Sequence, residues 1–197
     1  MINISNKVKK IGNNTDLYLK NIFLKQNINS NLIKPMKYSV FSGGKRLRSS
    51  IVVNTGKIFN INYRKLIIIG AAVECIHAYS LIHDDLPSMD NDEFRRGKPT
   101  THKKFNEFTA ILAGNSLLTL AFEILSGKDL NITEKHKNEL IRALSICSGH
   151  LGLAGGQYYD LTFEKKKYQS KILLICKKKR LVSYLVFAVK ALALLKE

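Results

Sequence analysis

The chain has 197 residues, a length that predicts one domain, residues 1–197, with a substantial hydrophobic core. Hydrophobic residues at 45% and charged residues at 24% place it among ordinary globular proteins. The net charge of +17 comes from lysines and arginines scattered along the whole chain. Because no basic motif with interleaved aromatic residues occurs, we do not expect a nucleic-acid-binding protein.

The pattern of residues along the chain predicts an all-α fold. The three prolines are isolated, and no run of alternating strand-like segments occurs. Long helices with short connections imply a bundle, with a cavity between the helices. The predicted helices span residues 15–26, 35–42, 45–59, 64–85, 108–125, 134–154 and 166–195.

The first motif in chain order is Gly43-Gly-Lys-Arg-Leu-Arg48. Two glycines let backbone amides approach an anion, and a helix that begins here adds the positive end of its dipole. Lys45 as a point charge and Arg48 as a planar fork would cradle a diphosphate. The alternative is a structural Gly-Gly turn before a basic helix start.

The second motif is acidic and follows the apolar run of residues 71–82. Asp84, Asp85 and Asp90 lie close together in the sequence, and Arg95 and Arg96 follow them. Carboxylates this close repel one another unless a cation neutralises them, and Mg²⁺ takes one or two carboxylates together with water and phosphate oxygens. We therefore predict a magnesium diphosphate site. The alternative is a solvated acidic turn that caps a helix.

The spacing of these acids requires a break in the helix. Asp84 and Asp90 would lie about 240° apart on an unbroken helix, too far for one metal site. Pro87 lacks an N–H and clashes with the preceding turn, so we expect the helix to end near Leu86 and the chain to bring Asp90 back toward Asp84. His77 lies about two turns before Asp84 on the same face.

The third motif is Gly155-Gly-Gln-Tyr-Tyr-Asp160, which places Gln157 and Asp160 on one helical face. Beyond it, the apolar tract at residues 181–195 is too short to span a bilayer comfortably and carries Lys190, so we expect a buried helix and no membrane span. The N-terminal residues do not resemble a signal peptide.

Three cysteines without metal-type spacing, Cys75, Cys147 and Cys176, indicate reduced thiols and a cytoplasmic location.

In these motifs the chain closely resembles the trans-prenyltransferases, and among them the bacterial farnesyl diphosphate synthases. The likeness runs from about residue 36 through residue 160. The segments that carry it are Gly43-Gly-Lys-Arg-Leu-Arg48, residues 71–90, Arg95-Arg-Gly-Lys-Pro-Thr100, Ile111-Leu-Ala-Gly114 and Gly155-Gly-Gln157.

The resemblance implies an isoprenoid-synthase-like bundle of long antiparallel helices around a central cavity. It also implies condensation of isopentenyl diphosphate with dimethylallyl or geranyl diphosphate to farnesyl diphosphate, two or more Mg²⁺ ions, and a homodimer. A bulky Tyr79 beside Ser80 resembles the floor that limits product length. A synthase that makes geranylgeranyl diphosphate is the alternative within the class.

The resemblance also assigns site residues. Asp84, Asp85 and Asp90 look like the first aspartate-rich motif, which holds Mg²⁺ against the allylic diphosphate. The other residues it implies in substrate binding are Gly44, Lys45, Arg48, His77 and Arg96 for isopentenyl diphosphate, Arg95 and Arg180 on the allylic side, and Gln157.

The chain departs from the family toward its C-terminus, where Arg180 stands in for a lysine and no second aspartate-rich motif follows. The expectation is therefore a C-terminally incomplete synthase whose turnover is impaired. The remaining alternatives are a catalytically inactive subunit that binds prenyl diphosphates and a basic helical protein that binds nucleic acid.

Overall fold

The computed structural model describes residues 4–25, 31–164, 186–189, 192–193 and 195. Within these residues the fold is helical, which confirms the predicted class, and its strands form one short antiparallel ribbon. The helices are α1 (Ile4–Lys25), α2 (Ile33–Val40), α3 (Leu47–Ile58), α4 (Tyr63–Asp84), α5 (Thr101–Lys104), α6 (Glu107–Ser126), α7 (Glu134–Ser148) and α8 (Leu153–Glu164). The ribbon consists of β1 (Phe94–Arg95) and β2 (Lys98–Pro99), and a 3-10 turn covers Lys128–Leu130.

Helix α4 is the centre of the bundle. It packs against α1, α2, α3 and α6, and residues 66–76 are buried without interruption. A helix that is apolar on all sides belongs in the interior of a protein. The helix begins where the Asn62 side chain accepts a hydrogen bond from the N–H of Arg64. Its C-terminal half carries His77 and Tyr79, which are half-buried, and Ser80 and Asp84, which are buried.

Two helices, α4 and α6, are long and apolar enough to cross a membrane by length and composition alone. Such helices are weak evidence for a membrane protein, because the core helix of a soluble protein passes the same test. The apolar window of α4 is 78% buried inside the protein, whereas that of α6 is only 44% buried. Helix α6 therefore presents an apolar face outward, with Phe108, Ile111 and Leu112 exposed.

The helix boundaries differ from the predicted ones in two places. Helix α1 begins at Ile4 instead of residue 15, and every fourth residue from Ile11 through Phe23 is buried, so a helical face continues through the polar N-terminal segment. The single helix predicted over residues 134–154 is two helices. Helix α7 ends at Ser148, and a turn in which the N–H of Gly152 donates to the carbonyl of Gly149 redirects the chain into α8.

Most of the last predicted helix, residues 166–195, lies outside the described residues. Residues 186–189 are helical, and Phe187, Ala188 and Leu192 are fully buried. This burial agrees with the expectation that the apolar tract packs inside the bundle.

Candidate active site

The loop before α3 turns sharply through left-handed backbone conformations. Gly43, Gly44 and Arg46 have φ angles of 107°, 121° and 49°, and α3 begins at the next residue, Leu47. The expectation that a helix starts in this motif is confirmed. Lys45 is exposed at the outer edge of the loop, and Arg48 is half-buried in the first helical turn.

Arg46 points inward and is only 8% exposed. Its Nε donates to Asp16 Oδ1 at 2.7 Å, its Nη2 donates to the Val40 carbonyl at 2.6 Å, and its Nη1 lies 3.7 Å from Glu74 Oε2. The three basic side chains of the motif therefore have different environments: Arg46 is bound in the protein interior, whereas Lys45 is exposed and Arg48 is half-buried. Sequence reasoning did not single out Arg46 or its partners, although Glu74 is a lone acid in an apolar run.

Arg96 and Arg48 gather around His77 at the exposed end of this loop. Arg96 donates to the Gly43 carbonyl, and its Nη1 would lie 2.6 Å from a Cβ at Gly44, where the φ of 121° favours glycine. Burial lowers the pKa of His77 to about 2, and the positive charges of Arg48 and Arg96 act in the same direction. His77 is thus a neutral imidazole beside two guanidiniums, an arrangement that favours an anion. We call this group, Gly44, Lys45, Arg48, His77 and Arg96, the cationic pocket.

The acidic motif forms a closed turn at the end of α4. The helix ends at Asp84, and the N–H of Asp90 then donates to the Asp84 carbonyl at 2.9 Å, while the N–H of Met89 donates to the carbonyl of Leu86 at 2.9 Å. The prediction that the chain returns Asp90 toward Asp84 is confirmed for the main chain. Asp84 is buried, and Asp90 is exposed.

Asp85 forms an ion pair within the chain. Arg95 approaches Asp85 Oδ1 with its Nε at 2.6 Å and its Nη2 at 2.5 Å, and the same Nη2 lies 3.0 Å from Asp92 Oδ2. Burial raises the pKa of Asp85, although the hydrogen bond from Arg95 opposes this rise. The ribbon β1–β2 carries Arg95, and Thr100 anchors it by donating to the Asp92 carbonyl at 2.8 Å. We call the segment from Asp84 to Arg95 the acidic turn.

The donor set of the acidic turn bears on metal binding. Among residues 4–25, 31–164 and the short C-terminal stretches, no group of three or more His, Cys, Asp or Glu side chains lies close enough to hold a metal ion alone. Since Mg²⁺ needs only one or two carboxylates when phosphate oxygens and water complete its shell, Asp84 and Asp90 suit it chemically.

A cavity of about 230 Å³ lies between the end of α4 and the start of α8. Tyr79, Ser80 and Asp84 line it from α4, and Gln157 lines it from α8. The Gln157 amide oxygen is buried and has no hydrogen-bond partner among the described residues. The structure therefore brings Gln157 next to Asp84 of the acidic turn, whereas the third motif predicted only that Gln157 and Asp160 share a helical face. Larger cavities, including one of about 800 Å³ lined by Lys65 and His136, contain none of the aspartates of the acidic turn.

Tyr79, which lines this cavity, is held by neighbours that the sequence did not predict. The His83 ring meets Tyr79 edge-on at a centroid distance of 5.0 Å, and its Nε2 lies 3.1 Å from the Ile111 carbonyl on α6. A side chain at Gly114 would collide with the His83 ring. Only the glycine at residue 114, inside a segment that carries the family likeness, hinted at this contact.

The structure thus forms two groups from the predicted site residues. Arg48 and Arg96 act on His77 in the cationic pocket, and Arg96 contacts Gly44, whereas Lys45 lines a cavity against α1. Asp84, Tyr79, Ser80 and Gln157 share the cavity. Arg180 lies outside the described residues.

Comparison with known proteins agrees with this architecture. A farnesyl diphosphate synthase from Buchnera aphidicola subsp. Acyrthosiphon pisum is 52% identical over 138 residues, which are 70% of this chain and 49% of that protein. A farnesyl diphosphate synthase from Escherichia coli is 50% identical over 139 residues, 70% of this chain and 46% of that protein. The chain therefore spans about half the length of these curated relatives.

The fold has close counterparts among solved structures. The crystal structure of a geranyltransferase from Legionella pneumophila superposes with a TM-score of 0.89 at 33% identity, covering 95% of this chain and 67% of that one. The family model described as polyprenyl synthetase matches residues 29–197, which include the cationic pocket, the acidic turn and the cavity. The chain belongs to the polyprenyl synthetase family.

Proposed function

We propose that the chain is a farnesyl diphosphate synthase that condenses isopentenyl diphosphate with dimethylallyl or geranyl diphosphate. One observation carries this proposal: two anion-binding regions of different chemistry are mounted on one helix. His77 in the cationic pocket and Asp84 in the acidic turn lie seven residues apart on α4, a rise of about 10 Å. That separation suits two diphosphates whose hydrocarbon ends meet between them.

The cationic pocket is the proposed site for the diphosphate that stays. Arg48 and Arg96 supply forked donors, Lys45 supplies a mobile charge, and Gly44 allows Arg96 to approach the backbone closely. His77 is held neutral, so it can donate one N–H without adding charge. These residues would fix isopentenyl diphosphate without any metal ion.

The acidic turn is the proposed site for the diphosphate that leaves. Asp84 and Asp90 would hold Mg²⁺, which neutralises charge on a departing diphosphate. Asp85, which binds Arg95 through Oδ1, is proposed to reach the metal only through a water molecule, since no three such side chains lie close enough among the described residues to hold one ion. Arg95, held in place by Asp85 and Asp92, would grip the allylic diphosphate. Gln157 and Arg180 are the further proposed contacts on this side.

The bond changes follow from this arrangement. The allylic C–O bond breaks and releases diphosphate, the alkene of isopentenyl diphosphate forms a new C–C bond to the resulting cation, and a proton is lost. The bundle excludes water from the cation. Tyr79 and Ser80, which line the cavity below Asp84, would limit the length of the tail.

The test is a direct assay of the 197-residue chain with geranyl diphosphate, isopentenyl diphosphate and Mg²⁺. Release of pyrophosphate together with a C15 diphosphate in mass spectrometry is the expected result. A chelator and the substitution Asp84→Asn should each abolish both signals. Absence of product at any enzyme concentration would contradict the proposal.

The second candidate function is a binding subunit that holds prenyl diphosphates without turnover. It is favoured by the donor set, because no group of three or more His, Cys, Asp or Glu side chains that could hold a metal ion occurs in the part of the chain that the structure describes. Saturable binding of geranyl diphosphate with Mg²⁺ but without ionisation would identify this function.

Product length distinguishes a farnesyl synthase from a geranylgeranyl synthase. Replacement of Tyr79 by alanine should lengthen the product to C20 if its ring is the floor of the cavity. A wild-type chain that already makes C20 product would favour the geranylgeranyl synthase. An unchanged C15 product in Tyr79→Ala would show that another residue sets the length.

The exposed apolar face of α6 supports a homodimer as a further part of the proposal. Phe108, Ile111 and Leu112 are 66%, 42% and 46% exposed. Light scattering should give twice the chain mass, and Leu112→Lys should reduce it to one chain, whereas Leu24→Lys on α1 should not. A monomeric wild type would contradict this assignment. The cytoplasmic location and the absence of nucleic-acid binding stay predictions.

A further inference from the structure

Arg46 lies in the middle of the basic motif but faces away from its neighbours Lys45 and Arg48. We propose that Arg46 is a positioning residue for the cationic pocket, anchored through Asp16 on α1 and Glu74 on α4. This inference takes one point from the proposed function, namely that the ligand of the pocket is a diphosphate. It concerns how the chain builds the pocket.

The guanidinium of Arg46 is already committed to the protein. It donates to Asp16 Oδ1 at 2.7 Å and to the Val40 carbonyl at 2.6 Å, with Glu74 Oε2 at 3.7 Å, and only 8% of the residue is exposed. Three partners on separate segments account for most of its fork of donors. Arg46 therefore acts on a ligand through its neighbours in the chain and not by contact.

The backbone of Arg46 shows why these anchors matter. A φ of 49° is uncommon for a residue with a side chain and persists where the surroundings hold it. This left-handed residue reverses the chain between Lys45 and Leu47, so these two residues are exposed while Arg46 is buried. If Arg46 relaxed, Lys45 and Arg48 on either side of it would lose their present positions.

Glu74 and helix α1 also hold the start of α3. The carbonyl of Arg46 accepts the first helical hydrogen bond from Ser50 at 3.0 Å, and Glu74 Oε1 accepts from the N–H of Ser49 at 3.0 Å. Ser49 and Thr15 share a hydroxyl hydrogen bond of 2.6 Å, which ties this turn to α1. Arg48 therefore sits on a helical turn fixed by Glu74 from one side and by α1 from the other.

Helix α1 contributes one of the two anchors, Asp16. Asp16 lies before residue 29, where the family match begins, so this anchor belongs to a part of the chain that the family model does not cover. Asp16 is about one-third exposed and can be changed without opening the core. A substitution of Asp16 therefore perturbs Arg46 without changing any residue of the cationic pocket.

The experiment compares Asp16→Ala with Asp129→Ala in the full chain. Asp129 pairs with Lys25 at the C-terminal end of α1, where Lys25 Nζ lies 3.6 Å from Asp129 Oδ2 on the protein surface. Each substitution therefore removes one carboxylate that forms an ion pair involving α1. The probe is inorganic pyrophosphate in the presence of a chelator, measured by isothermal titration calorimetry. Both the dissociation constant and the stoichiometry are read.

We expect Asp16→Ala to raise the dissociation constant about 5- to 10-fold at unchanged stoichiometry, since a charged anchor of the loop is lost. Asp129→Ala should stay within about twofold of the wild type. Arg46→Lys, which retains the charge but lacks the planar fork, should weaken binding about 10-fold.

Each other outcome overturns the inference. Equal affinity in Asp16→Ala and Asp129→Ala would show that the anchor does not position the pocket. Tighter binding in Asp16→Ala would mean that a released Arg46 is itself a ligand. A reduced stoichiometry at unchanged affinity would mean that Asp16 only supports folding. A wild-type chain that fails to bind pyrophosphate would instead defeat the proposed function, and this inference with it.

Discussion

The cationic pocket and the acidic turn share helix α4, but they differ in how their charges are matched inside the chain. Arg96 bonds to the carbonyl of Gly43 and has no carboxylate within ion-pair distance among the described residues. Arg95, the adjacent residue, has two carboxylates, Asp85 and Asp92, within 3.0 Å. The first region carries positive charge that an anion can compensate directly, whereas the second holds five carboxylates against the one guanidinium of Arg95 and would take an anionic ligand only together with a cation.

The largest expected effect comes from removing a charge of the cationic pocket. Arg96→Ala should weaken metal-free binding of pyrophosphate about 10- to 100-fold, because a charge-assisted hydrogen bond to the ligand is lost. Calorimetry with a chelator present measures it. Lys98→Ala is the matched control, since Lys98 is exposed on the same ribbon and carries the same charge. An equal loss of pyrophosphate affinity in the two variants would mean that the ligand responds only to the overall positive charge and not to a specific bond from Arg96.

The next effect tests the pairing in the acidic turn. Arg95→Ala should lower the free energy of unfolding by about 2 to 3 kcal/mol, because it leaves the buried carboxylate of Asp85 without its partner while some water reaches the site. Urea denaturation at neutral pH measures the change. Lys103→Ala, which removes an exposed pair with Glu93, should leave stability unchanged within error. A stable Arg95→Ala would mean that Asp85 finds another partner.

The pH dependence of stability should report His77. Its pKa is near 6.5 in the unfolded chain and about 2 in the folded chain, so only the unfolded chain takes up this proton as the pH falls below about 6.5. The contribution of His77 to stability is therefore lost progressively on acidification.

Between pH 7 and pH 5 this group should cost the wild type about 2 kcal/mol of unfolding free energy. His77→Asn should lack this part of the slope, as chemical denaturation at several pH values would show. An identical slope in the variant would mean that His77 is protonated in the folded protein. Bound pyrophosphate should also raise the pKa of His77, because it compensates the neighbouring guanidiniums.

The smallest expected effect is that of Asp85→Asn. Because burial raises the pKa of Asp85, the fold disfavours its charged form, and the stability contributed by this group rises as the pH falls through the folded pKa. An asparagine imitates the protonated acid, so stability at neutral pH should stay within about 1 kcal/mol of the wild type. A loss as large as that of Arg95→Ala would show that the ion pair outweighs the desolvation of Asp85.

Local chemistry explains what the sequence could predict. The proline at residue 87 implied that α4 ends near the aspartates, and the main-chain bond from Asp90 to Asp84 shows this turn. The glycines at residues 43 and 44 implied a turn into a helix, and α3 begins there. In both cases the deciding interactions lie within a few residues of one another.

Interactions between distant segments explain what it could not predict. Which of three basic side chains turns inward depends on Asp16, 30 residues before Arg46, and on Glu74 in another helix. The bracing of Tyr79 depends on a contact between His83 and Gly114 on α6. The periodicity of apolar residues in the sequence does not reveal such pairs, because each pair forms only when the helices pack together.

Helix α4 also fixes the spacing between the tyrosine at residue 79 and Asp84. The two residues belong to one continuous helix without a hinge. A single inserted residue between them would rotate the carboxylate by about 100° and raise it by about 1.5 Å relative to the tyrosine. Exchanges of single side chains can therefore reshape the cavity while this spacing is kept, whereas an insertion or a deletion in the segment would displace the carboxylate.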